Sequence, residues 1–173
     1  MSGVDLRAYI REVADFPSPG VGFKDITPLL ADATALRQAI ADLAEWVKVR
    51  EPSIVIGAEA RGFILGPAIS AAAGCGFVPA RRPGKLPPET ISASYALEYG
   101  RNSLELHPDL IPSGSRVVIH DDVLATGGTV DAICELVESI GGVVVGACFI
   151  IDLTFLGGRD RLSRYDVHSL IDY

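Results

Sequence analysis

The strongest constraint on the fold is a regular alternation along the chain between short apolar runs and longer segments with helical spacing. The apolar runs are continuous, which is typical of strands that are buried on both faces of a parallel sheet. Four runs have this character: 53–57 (SIVIG), 76–80 (GFVPA), 116–120 (RVVIH) and 143–153 (VVVGACFIIDL). The alternation predicts βαβ units, and therefore an α/β fold with a doubly wound, mainly parallel sheet flanked by helices.

The segments between the runs space their apolar residues as helices do, at 34–49, 62–74 and 129–142. In the first of them one helical stripe is formed by Leu36, Ile40, Leu43 and Val47. Thr34 is a candidate N-cap for this helix, and Gly141 is a candidate for the residue that ends the third. Pro67 lies inside the second segment and should kink that helix or delay its start.

Composition limits the partners that the protein can have. A chain of 173 residues predicts a single domain, 1–173, and the formal net charge is −7 with no basic tract. Nucleic-acid-binding proteins normally carry a basic face, so we expect no nucleic-acid partner. A small molecule is the better candidate for a ligand.

No apolar run approaches the length of a membrane span, and the N-terminal stretch carries charges within its apolar part. We therefore expect neither a membrane partner nor a signal peptide. The three cysteines are far apart in apolar segments, which is typical of reduced thiols in a cytoplasmic protein: Cys75, Cys134 and Cys148. The three histidines are equally scattered, so no protein cage for a metal is predicted.

The candidate functional site follows the run at 116–120, at the edge where parallel sheets bind ligands. Asp121 and Asp122 come first, and a glycine-rich turn, Ala125–Thr129, leads into a helix. Such a turn and the free N–H groups of the helix bind phosphate. Carboxylates repel phosphate, by about 1 kcal/mol in water at ~4 Å, but they accept hydrogen bonds from hydroxyl groups. A ribose 5-phosphate satisfies both halves of the pattern.

The stretch VVIHDDVLATGGT resembles the phosphoribosyl-pyrophosphate signature of type I phosphoribosyltransferases. Further segments narrow the resemblance to the adenine phosphoribosyltransferase family: FPSPGVGFKDITPLL, EARGFILGP, RRPGKLP, SYALEYG and FIIDLTFLGGRDRL. The resemblance implies transfer of the 5-phosphoribosyl group from phosphoribosyl pyrophosphate to adenine, which yields AMP and pyrophosphate in purine salvage.

By this resemblance, Asp121 and Asp122 bind the ribose hydroxyls, and the 5-phosphate is bound by Ala125, Thr126, Gly127, Gly128 and Thr129. Mg²⁺ is the implied cofactor, held mainly by substrate oxygens and water, because it dehydrates reluctantly.

The loop GAEARGF is similar to the family's pyrophosphate loop, which implies a pyrophosphate site at Ala60, Arg61 and Gly62. Arg61 is also expected to assist catalysis, because a guanidinium suits phosphate oxygens. A cis peptide is expected at Glu59–Ala60. Glu59 itself is left without a role.

The first 33 residues are expected to form a base-binding hood. By the resemblance, backbone groups of Gly22 and Lys24 read the edge of adenine, while Phe23 and Val123 stack on its faces. Family members often have an apolar residue in place of Gly22 and an arginine in place of Lys24, which a backbone contact tolerates.

Residues 81–103 are expected to form a flexible lid loop, since the segment is long and rich in proline and polar residues. The resemblance implies that Lys85 and Arg81 bind pyrophosphate, with Arg81 reaching into the partner's site of a homodimer. Glu98 is the candidate general base for the ring proton of adenine, and Tyr99 would lie with it over the base. Arg82 and Pro83 depart from the family's more basic pair.

Two alternatives stay open from the residues alone. One is a phosphoribosyltransferase for another nucleobase, which would need a different pattern of donors and acceptors in the base pocket. The other is a non-catalytic regulator that binds phosphoribosyl pyrophosphate or a nucleotide. The lid sequence argues against the regulator, because a sensor does not need a lid.

Overall fold

The computed structural model of the protein describes residues 3–97 and 100–173. Its strands are β1 (Arg11–Val13), β2 (Phe23–Asp25), β3 (Ile54–Ala58), β4 (Gly76–Ala80), β5 (Ile91–Leu97), β6 (Gly100–Leu106), β7 (Arg116–Leu124), β8 (Val143–Asp152) and β9 (Val167–Asp172). Its α-helices are α1 (Thr27–Ala31), α2 (Ala33–Lys48), α3 (Gly62–Ala73), α4 (Gly128–Ser139) and α5 (Gly158–Arg161).

Five parallel strands form the central sheet in the order β4–β3–β7–β8–β9. One face packs against α1, α2 and α3, with Leu29, Leu43 and Leu65 in that core. The other face packs against α4 and against buried leucines of β6. The predicted doubly wound α/β fold is therefore confirmed.

The sheet has one strand more than the apolar runs predicted. Strand β9 pairs in parallel with β8 at the edge of the sheet, and Ile171 is its one buried residue. Its sequence, VHSLID, mixes polar and apolar residues because an edge strand is half exposed. This strand therefore lacks the continuous apolar run by which the others were predicted.

The segment 81–103 is not the uninterrupted loop that was predicted. Strands β5 and β6 form an antiparallel hairpin whose register runs from Ile91 opposite Leu106 to Leu97 opposite Gly100. Leu104 and Leu106 are buried against α4 and β4, and Ile91 packs partly against the same core. The alternation of apolar and polar residues in this segment is the period of a half-buried strand.

Helix α2 begins two residues earlier than the sequence predicted, with Asp32 as its N-cap. The carboxylate of Asp32, rather than the hydroxyl of Thr34, caps it by accepting hydrogen bonds from the backbone N–H groups of Thr34 and Ala35, both at 2.9 Å. A carboxylate at this position also interacts favourably with the positive end of the helix dipole. The C-cap of α4 is Ile140 and not, as predicted, Gly141, which follows it with φ 84° in the left-handed conformation that is common just after a helix.

Residues 3–33 lie beside the sheet. Strands β1 and β2 pair antiparallel, with Arg11 opposite Asp25, and α1 follows directly. None of the six residues in these two strands is fully buried. Within residues 3–97 and 100–173, no helix combines the length and apolar character that crossing a bilayer requires.

Candidate active site

The site forms where neighbouring strands β3 and β7 reach the same edge of the sheet. They pair in parallel up to Gly57 and His120, so the residues that follow both lie side by side. The contact is very close, because a Cβ placed on Gly62 would lie 2.6 Å from the backbone oxygen of His120. The predicted pyrophosphate loop and the predicted ribose acids are therefore brought together.

The two acids lie inside β7 and not, as predicted, after its end. The strand continues to Leu124, with Asp121 opposite Phe149 and Val123 opposite Ile151 of β8. The backbone N–H of Asp122 donates to the Asp121 carboxylate at 2.9 Å. Sheet pairing holds the backbone of both acids in place, which would suit the predicted contact with a ribose.

Both carboxylates are held in an environment that disfavours their charge. Burial raises the pKa of Asp121 well above its ordinary value, and the neighbouring Asp122 raises it further. Burial also raises the pKa of Asp122, against the opposing effect of the Arg61 guanidinium. The side chain of Asp122 is 1% exposed, and neither of its oxygens accepts a well-aligned hydrogen bond from a described residue. A ligand with hydroxyl donors would satisfy these oxygens.

The turn Ala125–Thr129 links β7 to α4. Gly127 has φ 77°, a left-handed conformation that favours glycine, and α4 begins at Gly128. The N–H groups of the first turn of this 12-residue helix have no partner within the helix and can donate to an anion, so the 5-phosphate site predicted here stays a prediction.

Gly158 supports this turn from behind and was not among the residues that the sequence predicted. A Cβ on Gly158 would lie 2.4 Å from the backbone oxygen of Ala125, and one on Gly127 would lie 3.1 Å from the backbone oxygen of Gly158. The two glycines thus allow backbone to pack on backbone. In the sequence, the adjacent glycines Gly157 and Gly158 in the segment LGGRDRL are the feature that could have indicated this close packing.

The predicted pyrophosphate loop connects β3 to α3. The peptide between Glu59 and Ala60 is cis, as predicted. The Arg61 Nε lies 3.2 Å from the Asp122 carboxylate, and the Arg61 side chain is 48% exposed. Arg61 therefore connects the loop to the ribose acids while its guanidinium stays accessible to a ligand.

The predicted base-binding segment lies next to Arg61. The guanidinium carbon of Arg61 is 5.7 Å from the centre of the Phe23 ring, and Phe16 meets that ring edge-on at 5.1 Å. Gly22 precedes Phe23 and has open space around its Cα. Val123 packs partly in the core between the sheet and α1–α3, and its contact with a base stays a prediction.

The side chain of Lys24 contacts other residues of the chain, which leaves the predicted contact with adenine to its backbone groups. Its ammonium group pairs with Glu12 and lies 3.8 Å from the centre of the Tyr173 ring, and Arg7 lies 4.4 Å from that ring. The backbone N–H of Tyr173 donates a 2.8 Å hydrogen bond to the backbone oxygen of Asp152, which fixes Tyr173 to β8. The Lys24 side chain therefore anchors the hood to the end of β9, a contact that the sequence did not predict.

Arg81 and Lys85 lie in the turn that follows β4. The guanidinium of Arg81 donates to Glu59 from Nε at 3.2 Å and to the Lys85 backbone oxygen from Nη1 at 3.2 Å. Within one chain Arg81 is thus placed beside the pyrophosphate loop, and its reach into a partner's site stays a prediction. Glu98 and Tyr99 lie outside the described residues.

His120 is a buried histidine just before the two acids. Its Nδ1 lies 3.0 Å from the Cys148 backbone oxygen and must donate, since a carbonyl only accepts, and its Nε2 meets no partner among the described residues. Burial lowers the pKa of His120 to about 4 from 6.5, although the Cys148 carbonyl opposes this.

This histidine should make the fold sensitive to acid. From pH 6.5 down to 4 the unfolded chain gains this proton and the folded protein does not, so stability falls as the pH falls. At ~1.4 kcal/mol per pH unit, the total is about 3 kcal/mol. Between pH 7 and pH 4 the unfolding free energy of both proteins should fall, and we expect the fall to be about 3 kcal/mol smaller in His120→Leu than in the unmodified protein. Urea titration at each pH measures it. Parallel curves over this range would contradict the assignment.

Comparison with known proteins agrees with the geometry. The model of the phosphoribosyl transferase domain matches residues 29–171. The adenine phosphoribosyltransferase of Desulfitobacterium hafniense (strain Y51) is 51% identical over 173 residues, which is 100% of both chains. The crystal structure of the adenine phosphoribosyltransferase of Thermoanaerobacter pseudethanolicus is 50% identical, covers 98% of each chain and superposes with a TM-score of 0.94. The chain belongs to the adenine phosphoribosyltransferase family.

Family membership makes the chain a transferase of the 5-phosphoribosyl group with adenine as the acceptor, as the sequence predicted. The structure of the Saccharomyces cerevisiae adenine phosphoribosyltransferase, with an imino-altritol bisphosphate and adenine, is 37% identical and has a TM-score of 0.90 over 96% of each chain. These agreements extend over the whole chain, including the hood and the segment after β8.

Proposed function

We propose that the edge formed by β3 and β7 is the active site for conversion of adenine and phosphoribosyl pyrophosphate to AMP and pyrophosphate. We further propose that the reaction serves purine salvage in the cytoplasm. The observation that carries the proposal is the buried Asp122, which pairs with Arg61, beside the partly buried Asp121 and ahead of a glycine-rich turn that leads into α4. This arrangement matches the two ends of a ribose 5-phosphate.

In this proposal the β7 edge holds the sugar. The carboxylates of Asp121 and Asp122 accept hydrogen bonds from the 2′ and 3′ hydroxyls, and the turn Ala125–Thr129 donates N–H groups to the 5-phosphate. Hydroxyl donors stabilise the charged carboxylates, so ligand binding lowers pKa values that burial has raised. Binding of the ribose therefore reduces the free-energy cost of keeping the two carboxylates charged in the free site.

The diphosphate lies on the other side, at Ala60–Gly62 and at Lys85 and Arg81. The residues present fit Mg²⁺, since two adjacent carboxylates supply the oxygen ligands that it prefers and neither oxygen of Asp122 has a hydrogen-bond partner among the described residues. Asp121 and Asp122 would hold it through the ribose hydroxyls and water. When bound, the ion neutralises charge on the departing pyrophosphate.

The chemistry breaks the bond between the anomeric carbon and the diphosphate oxygen and forms a bond from that carbon to adenine N9. Pyrophosphate keeps the electron pair, and Arg61 stabilises its charge. Positive charge that develops on the ribose is stabilised by the two carboxylates beneath it. Glu98 accepts the proton that N9 loses, and Tyr99 closes over the base.

The base is held by the hood. Backbone groups of Gly22 and Lys24 pair with the edge of adenine, while Phe23 stacks on one face and Val123 on the other, each stack contributing about 1–3 kcal/mol. The orientation of Lys24 supports this, because its ammonium group is occupied by Glu12 and Tyr173. In a homodimer, Arg81 would also contact the partner's diphosphate.

A direct assay tests the function. The protein is incubated with phosphoribosyl pyrophosphate and Mg²⁺ together with adenine, hypoxanthine, guanine or orotate in separate reactions, and nucleotide is detected by chromatography. We expect AMP from adenine alone. Nucleotide from another base alone would overturn the proposed specificity. Binding of phosphoribosyl pyrophosphate without any nucleotide product would favour the non-catalytic regulator.

A further inference from the structure

We propose that Glu59 is a positioning residue, which holds Arg81 and the turn 81–85 against the diphosphate side of the site. The inference rests on the proposed function, because it assigns the turn to diphosphate binding. It adds a residue that makes no contact with the substrate and acts through Arg81.

The position of Glu59 ties two loops together. It follows β3 directly, and its N–H donates to the backbone oxygen of Ala80 at 2.9 Å, so it lies beside the end of β4. Its side chain is 13% exposed. A carboxylate this shielded needs partners, since burying a charge without compensation is unfavourable.

Both oxygens of the carboxylate are used on the turn after β4. One oxygen accepts from Arg81 Nε at 3.2 Å and from the Arg82 backbone N–H at 2.8 Å, and the other accepts from Arg81 Nη2 at 3.5 Å. The two-point contact sets the plane of the guanidinium, and the contact to Arg82 sets the direction of the chain. Glu59 therefore fixes both the side chain and the backbone.

The Arg81 guanidinium carries this constraint further along the turn. Its Nη1 donates to the backbone oxygen of Lys85 at 3.2 Å, and the Lys85 N–H donates to the Arg82 oxygen at 3.2 Å. At the far side, the Gly84 N–H donates to the Glu105 carboxylate at 3.1 Å. The position of Lys85, a proposed diphosphate ligand, thus depends on Arg81, which depends on Glu59.

The electrostatics are consistent with a role through Arg81. Burial alone would raise the pKa of Glu59, but hydrogen bonds from Arg82 and Arg81 hold it below its ordinary value. A lone negative charge so close to a diphosphate site would oppose binding. Because Arg81 offsets the charge of Glu59, the contribution of Glu59 to the site is the order of the turn 81–85.

The test is Glu59→Gln in the full-length protein. Glutamine keeps the length and can still accept from the Arg82 N–H, but it loses the charged contact to Arg81. We expect the KM for phosphoribosyl pyrophosphate and the Kd for pyrophosphate with Mg²⁺ to rise about 10-fold, with the KM for adenine unchanged and the Tm lowered only slightly. Glu89→Gln, at an exposed position of the same segment, is the matched control and should change none of them.

A double-mutant comparison separates positioning from simple support of the fold. If Glu59 acts through Arg81, adding Glu59→Gln to Arg81→Met should change the KM for phosphoribosyl pyrophosphate by less than twofold. An unchanged KM in Glu59→Gln, an equal rise in the KM for adenine, or full additivity with Arg81→Met would each overturn the proposal. Calorimetric binding of pyrophosphate does not depend on turnover, so it tests Glu59 even if adenine yields no AMP.

Discussion

Asparagine in place of Asp122 is expected to lower kcat/KM for phosphoribosyl pyrophosphate by about 10²–10³-fold while it makes the free protein more stable. The loss of activity follows because the neutral amide no longer holds Arg61 and no longer stabilises positive charge on the ribose. Asp122 is almost completely buried, and its Oδ1 lies 3.2 Å from Arg61 Nε.

The gain in stability has the opposite cause. Burial raises the pKa of Asp122, so the folded protein holds this proton more tightly than the unfolded chain does. Stability is therefore lost as the pH rises above the unfolded value, and the cost is fully present above the folded pKa. Removing the charge with asparagine should raise the unfolding free energy by about 1 kcal/mol at pH 8.

Kinetics and thermal unfolding of the same preparation check both halves. Asp109→Asn removes one carboxylate from an exposed turn and should leave kcat/KM and Tm near their original values. A destabilised Asp122→Asn protein would mean that the contact with Arg61 outweighs the cost of burial. Full activity in that variant would remove the acids from the proposed sugar site.

Alanine in place of Gly62 is expected to reduce both stability and activity. Its Cβ would lie 2.6 Å from the backbone oxygen of His120 and 3.2 Å from the backbone carbon of Gly57. Backbone of a buried sheet cannot move aside as a flexible side chain can, so the proposed pyrophosphate loop must shift away from β7. Overpacking of this kind costs about 1–3 kcal/mol, and a displacement of ~1 Å in a site costs about 10²-fold in rate.

The measurements are kcat/KM and urea-induced unfolding. Gly76→Ala provides the matched control, because a Cβ there would lie at an ordinary 3.5 Å from the backbone oxygen of Ser53. We expect this control to lose less than 1 kcal/mol of unfolding free energy. If Gly62→Ala behaved like it, the close approach of the two loops would not be needed for the site.

Local patterns in the sequence were enough to predict most of the sheet and the loops that meet at the edge of β3 and β7. Continuous apolar runs report burial on both faces, and they identified four of the five strands in the central sheet. Strand β9 was missed because only Ile171 is buried in it. The hairpin β5–β6 was missed because proline and polar residues around it suggested a loop.

Contacts between distant residues could not be read from those patterns. Arg81 and Glu59 are 22 residues apart, and Lys24 and Tyr173 are separated by most of the chain. Their meeting depends on which strands become neighbours and where each ends. Resemblance to a family supplied the roles of Arg81 and Lys24 toward ligands, but not the contacts that hold either side chain.

The strand pair β1–β2 within the hood contains no fully buried residue and is attached to the rest of the chain partly through the contact of Lys24 with the Tyr173 ring. Its free energy of local opening should therefore be smaller than that of the central sheet, and its amide protons should exchange with solvent sooner. Adenine and AMP could then enter and leave by brief detachment of this unit. Strands β3 and β7, which border the proposed site for ribose and phosphate, would remain intact throughout the catalytic cycle.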